Sequence, residues 1–94
     1  MKVVGRSRLY EFCRRHEDVR AAVYAWLAEV EEASWRTPHE LKAQYGTASV
    51  VGKNRVVFNL RGVRYRLDVK VSFQLQEVLV VRIGTHEEYD DWKF

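Results

Sequence analysis

The hydrophobic patterning of this chain predicts an α+β fold, with helices first and a small antiparallel sheet after them. Three observations carry that expectation. From Glu17 to about Ser34 the apolar residues Val19, Ala22, Val23, Trp26, Leu27, Val30 and Ala33 recur at helical spacing. After Gly46 the period switches to two. Two alternating runs then flank the turn-forming dipeptide Arg61-Gly62. With 94 residues the natural expectation is one domain, 1–94, because either half alone would lack a usable core.

Taken in order, Lys2 to Gly5 (KVVG) reads as a short first strand, and Ser7 offers an N-cap to a short helix carrying Leu9, Phe12 and Cys13 on one side. The amphipathic helix from Glu17 follows, with Trp26 expected in the core. Thr37-Pro38-His39-Glu40 has the form of a capping box: threonine cap, proline at the first helical position, glutamate three residues after the cap. That helix continues from Leu41 to Tyr45, and Gly46 closes it. If Arg61-Gly62 is a two-residue turn between Arg55–Leu60 and Val63–Phe73, Leu60 faces Val63, Phe58 faces Tyr65 and Val56 faces Leu67, which makes the core face. Arg55, Val57 and Asn59 then share the opposite face with Arg64, Arg66 and Asp68. A third strand, Glu77 to Gly84, buries Leu79, Val81 and Ile83 against Val71, Val69 and Leu67, which sets Arg82 opposite Asp68. The segment Thr85 to Asp91 reads as a capped helical turn with His86 and Tyr89, or His86 and Asp90, on one face.

Composition narrows the function classes. Apolar residues make up 47% and aromatics 13%, far from the disorder-prone corner. The single Cys13 makes no internal disulfide and is expected to pack in the core, which fits a reducing cytoplasm. Together with His16, His39 and His86 it shows no zinc-ligand spacing, so no metal or other cofactor is expected. No apolar run approaches membrane-spanning length, and Met1–Gly5 has no signal-peptide character. Residues 47–84 carry seven Lys/Arg against two Asp/Glu, while residues 85–94 carry one against four. A local excess of that kind either forms a solvated basic face or meets a polyanion.

Several arginines on one sheet face beside His86, Tyr89 and Asp90 suit phosphodiester chemistry without a metal. Guanidinium grips phosphate through two parallel hydrogen bonds and stabilises charge developing on a pentacovalent phosphorane. RNA brings its own nucleophile, the 2′-hydroxyl, so the enzyme supplies a base, an acid and cations. Histidine suits the base, and tyrosine either stacks on an extruded base or donates a proton. The structural alternative is that Arg55, Arg82 and Asp68 form a salt-bridge network and Tyr89 anchors the tail.

The strings VVFNLRGVRYRL (Val56–Leu67) and VRIGTHEEYDDW (Val81–Trp92), with SWRTPHELKAQYGTASVVGKNR (Ser34–Arg55) upstream, resemble the HigB family of toxins from bacterial toxin–antitoxin systems. The resemblance implies a RelE-like fold and a ribosome-dependent endoribonuclease acting on mRNA. It also implies a helix-turn-helix, HigA-like antitoxin through which the complex binds operator DNA. Carried over by motif, the expected catalytic group is Arg66, Arg82, His86, Tyr89 and Asp90. The expected RNA-binding group is Lys42, Lys53, Arg55, Asn59 and Arg64. Val63 stands where the family commonly has asparagine after the hairpin glycine; it is expected to point into the core and leave activity intact. The competing readings are a non-catalytic RNA- or ribosome-binding module and a degenerate toxin that serves only as a partner of its antitoxin.

Overall fold

A computed structural model of the chain describes residues 1–94. Strand β1 (Lys2–Val4) leads into helix α1 (Arg6–Arg15), a 3₁₀ turn (Glu17–Val19), α2 (Arg20–Glu32) and α3 (Pro38–Gln44). Then come β2 (Ser49–Gly52), β3 (Arg55–Leu60), β4 (Tyr65–Ser72), β5 (Glu77–Thr85) and α4 (His86–Tyr89). The five strands form one sheet in the order β1-β5-β4-β3-β2, mixed because β1 runs parallel to β5 while the other pairs are antiparallel. Helices cover one face and leave the other to the C-terminal residues, so the fold is the expected α+β arrangement.

Local chemistry accounts for the helix boundaries. Gly5, not Ser7, opens α1: it has a φ of 91°, and a Cβ there would approach the Val80 carbonyl oxygen to 3.2 Å, so the tight exit from β1 favours glycine. Thr37 caps α3 by accepting from the Glu40 amide at 3.2 Å, with Pro38 at the first helical position. The covered side of the sheet packs Val56, Phe58, Leu60, Tyr65, Leu67, Val69, Val71, Val78 and Val80 against Leu9, Phe12, Cys13, Val23, Trp26, Leu27 and Val30. Trp26 meets Phe58 edge to face at 5.5 Å, and Phe12 meets Tyr65 at 5.7 Å.

Two registers differ from the sequence expectation. The β3–β4 hairpin closes with a four-residue loop, so Leu60 pairs with Tyr65 and Val57 with Asp68. The slip is two residues, which keeps every side chain on its expected face. It moves Arg64 off the strand and lifts Val63 into solvent, 57% exposed rather than in the core. The loop is held by Asp18: Arg61 and Arg64 reach its carboxylate at 2.9 and 3.3 Å, and the Tyr65 hydroxyl donates to it at 2.7 Å. In β5, Asp68 pairs with Arg82 but Val69 pairs with Val80, leaving Val81 as a bulge. The bulge sends Val80 into the core and Arg82 to the opposite face although they lie two residues apart. Upstream of it Val78 and Val80 are buried and Leu79 is 43% exposed, so the core set is Val78, Val80 and Ile83 rather than Leu79, Val81 and Ile83. The edge strand β2 is not among the strands the sequence pattern predicts.

The Tyr65 hydroxyl, followed by Arg64 and Arg61, holds the Asp18 carboxyl below its ordinary range. A depressed carboxyl stabilises the fold above its unfolded pKa of about 3.9, and that contribution disappears as pH falls through the lower folded value. Asp18→Asn is therefore expected to lower the melting temperature at pH 7, and the gap to the parent to shrink below about pH 4. An equal gap at pH 3 and pH 7 in thermal denaturation would contradict this origin.

Candidate active site on the uncovered face

The uncovered face is organised by a charge with no access to water. Asp68 is 0% exposed, and its carboxylate receives Arg55 Nε and Nη2 at 3.2 and 2.5 Å and Arg82 Nε at 2.8 Å. Burying a carboxylate is tolerable only when it is paired and its lone pairs are filled; here two guanidinia supply both. The C-terminal residues close over this triad. Arg82 lies over the Trp92 ring at 4.4 Å and the Phe94 ring at 5.3 Å, Arg55 lies over Phe94 at 5.5 Å, and Arg82 Nη2 donates to the Lys93 carbonyl at 3.2 Å. Gly84 makes room: a Cβ there would stand 2.8 Å from Trp92.

Beside the triad lies a second cluster, built from Arg66, His86 and Tyr89. Arg66 on β4 is flanked across the sheet by Asn59 on β3 and Gly84 on β5. Its Nη2 is 3.2 Å from His86 Nδ1, its Nε donates to the Val63 carbonyl at 3.4 Å, and the guanidinium lies over the Tyr89 ring at 4.5 Å. Guanidinium has only donors, so the contact requires a neutral imidazole accepting at Nδ1. The segment that carries His86 is fixed at both ends. Thr85 and Glu88 form a reciprocal capping box around α4, and the His86 amide donates to the Arg64 carbonyl at 2.9 Å. His86 also lines an open cleft of about 560 Å³ with Arg61, Val63, Arg64, Tyr65, Thr85 and Glu87.

The remaining expected residues fall elsewhere. Arg82 sits in the Asp68 triad rather than against His86. Asp90 is exposed at the end of α4 and makes no side-chain hydrogen bond to His86 or to an arginine. Lys42 donates to the carbonyls of Gly46 and Ala48 at 3.0 and 2.6 Å, and Asn59 donates to the Thr47 carbonyl at 3.2 Å, so both hold the loop before β2. Arg55 is bound to Asp68, and Arg64 to Asp18. Lys53, exposed in the β2–β3 turn, forms no salt bridge. No group of three or more His, Cys, Asp or Glu side chains has the arrangement to hold a metal ion. The sequence reading missed what Trp92 and Phe94 do to the arginines; Gly84, eight residues before Trp92, was the available signal.

Removing the buried carboxylate leaves two half-buried guanidinia facing each other. Asp68→Ala is expected to cost about 3 kcal/mol, the low end for breaking a buried pair, because both arginines retain some water. Gly84→Ala is expected to cost about 1–2 kcal/mol by displacing Trp92. Urea denaturation reads both; a parental midpoint for Asp68→Ala would mean the triad contributes nothing to the fold.

Among known families, the model of the HigB toxin, described as the RelE-like toxic component of a toxin–antitoxin system, matches residues 19–92. No curated relative matches the chain. The matched stretch takes in α2, the four antiparallel strands, both arginine clusters and α4, and a toxin of such a system implies an antitoxin partner. The chain belongs to the HigB toxin family.

Proposed function

We propose that this toxin is a ribosome-dependent mRNA endoribonuclease whose chemistry centres on Arg66 and His86. The observation that supports the reading is the 3.2 Å contact between Arg66 Nη2 and His86 Nδ1, beside the open cleft that His86 lines. The 2′-hydroxyl of the bound message attacks the adjacent phosphorus. As Arg66 turns its N–H groups to the phosphate, His86 Nδ1 is freed and takes the 2′-hydroxyl proton. Arg66 stabilises the equatorial oxygens of the phosphorane. The 5′-oxygen leaves with a proton from Tyr89 Oη, giving a 2′,3′-cyclic phosphate and a 5′-hydroxyl. RNA supplies the nucleophile, so no cofactor enters the scheme.

The whole chain, 1–94, acts as one toxin domain in the cytoplasm, where its message and ribosome are. A helix-turn-helix, HigA-like antitoxin neutralises it, and the complex reaches operator DNA through that antitoxin. Arg82 and Arg55 serve by holding the face in shape around Asp68, and Lys53 and Arg64 border the RNA path. Asp90 has no contact in support of a proton-transfer role. A second reading, a non-catalytic RNA-binding module, is favoured by one observation: two of the face's arginines are already committed to Asp68.

Cleavage of mRNA on purified translating ribosomes, with mapped ends, tests the proposal. Arg66→Ala is expected to lower the rate about 10²–10³-fold, as for loss of one oxyanion donor. His86→Gln is expected to lower it about 10²–10⁴-fold. Circular dichroism must show both variants folded. Intact message at saturating parental protein would leave the binding module as the surviving reading.

A further inference from the structure

Helix α1 carries more positive charge than its contacts use. Arg6 pairs with Glu31 at 2.9 Å, whereas Arg8, Arg14 and Arg15 are exposed and form no salt bridge. Parallel pairing of β5 with β1 stops at Leu79, so the later part of β5 has a free edge, and α1 lies against that strand. Between them is an open cleft of about 220 Å³ lined by Arg8, Glu11, Phe12, Arg15, Arg82 and Ile83. Arg82 therefore belongs to two places at once: its guanidinium holds Asp68 on the uncovered face, and the residue borders this cleft.

We infer that the α1–β5 cleft is a second phosphate-binding subsite, taking the backbone of single-stranded RNA as it leaves the Arg66–His86 site around the β5 edge. The inference rests on the RNA-directed reading above. Two unpaired guanidinia, Arg8 and Arg15, face one carboxylate, Glu11, so the cleft carries a net positive charge. Its floor is Phe12 and Ile83, with Arg15 lying 5.9 Å from the Phe12 ring centroid, so guanidinium and ring together present a cationic wall with an apolar base. Phosphate accepts bidentate bonds from arginine, and contacts to the phosphate backbone carry no sequence information.

The test uses the full chain and a fluorescent single-stranded oligonucleotide with 2′-O-methyl riboses, which binds without being cut. Arg8→Gln/Arg15→Gln is expected to weaken binding and to reduce the slope of log K against log salt by about 1.4, two phosphates released from a single strand. Glu11→Gln is expected to bind more tightly than the parent, a sign that loss of structure does not produce. Arg14→Gln, a charge removed from the same helix outside the cleft, keeps the parental slope. A parental slope in the double variant, weaker binding by Glu11→Gln, or no binding by the parent overturns the subsite. So does a loss confined to antitoxin binding, which would make α1 a protein interface. If the parent binds the oligonucleotide with the full slope yet cuts no message on ribosomes, the subsite stands and the catalytic reading fails.

Discussion

The buried carboxylate of Asp68 is the constraint on which the uncovered face depends. An ion without water must have its charge and its lone pairs met by the protein, and only Arg55 and Arg82 reach it. To meet it they must project from strands on both sides of β4, which fixes the register of β3 and β5 at that point. The Val81 bulge follows from the same demand, since β5 has to bury Val80 and still present Arg82 on the other side. One anion between two cations leaves a net positive charge, and the rings of Trp92 and Phe94 lie over the guanidinia and screen them from water.

That arrangement divides labour among residues that look equivalent in the sequence. Arg55 and Arg82 are held in place by Asp68 and the tail, so they are poorly free to follow a substrate. Arg66 has no acidic partner; its neighbours are a carbonyl, an imidazole and a phenol ring. It keeps N–H groups for an incoming anion, and the capped turn after β5 brings His86 to it in fixed orientation. The Arg66–His86 cluster, proposed here as the catalytic unit, thus borrows its rigidity from the Asp68 triad through two short connections, Gly84 and Thr85.

Much of this was legible because periodicity reports which side of an element is buried. The α2 helix, the threonine cap of α3 and the pairing of Asp68 with Arg82 all follow from patterns visible in the chain. The hairpin register lies two residues from the one the Arg61-Gly62 dipeptide predicts, yet the side chains keep their faces because the sheet repeats every two. Val63 was misplaced for the same reason: the loop is longer than its Arg61-Gly62 signal, and Asp18 on a distant element holds it open. The bulge at Val81 was invisible, since the run EVLVVRIG supports either set of core positions. Strand β2 carries exposed Ser49 and Val50 at the sheet edge, and such an edge shows no clean alternation. Of the site, the proximity of Arg66 to the terminal motif was readable from strand order. The capture of Lys42, Asn59 and Arg64 by local protein partners was not, because their partners are backbone carbonyls and a carboxylate in other elements.

On the reading proposed above, Arg66 and His86 work as one unit while Arg82 serves the fold. A double-mutant cycle on ribosome-bound message, comparing Arg66→Ala, His86→Gln and the double variant, addresses it directly. If they act together, the losses are strongly non-additive, the double variant cutting no more slowly than the worse single one. Losses that multiply would show instead that the two side chains act independently.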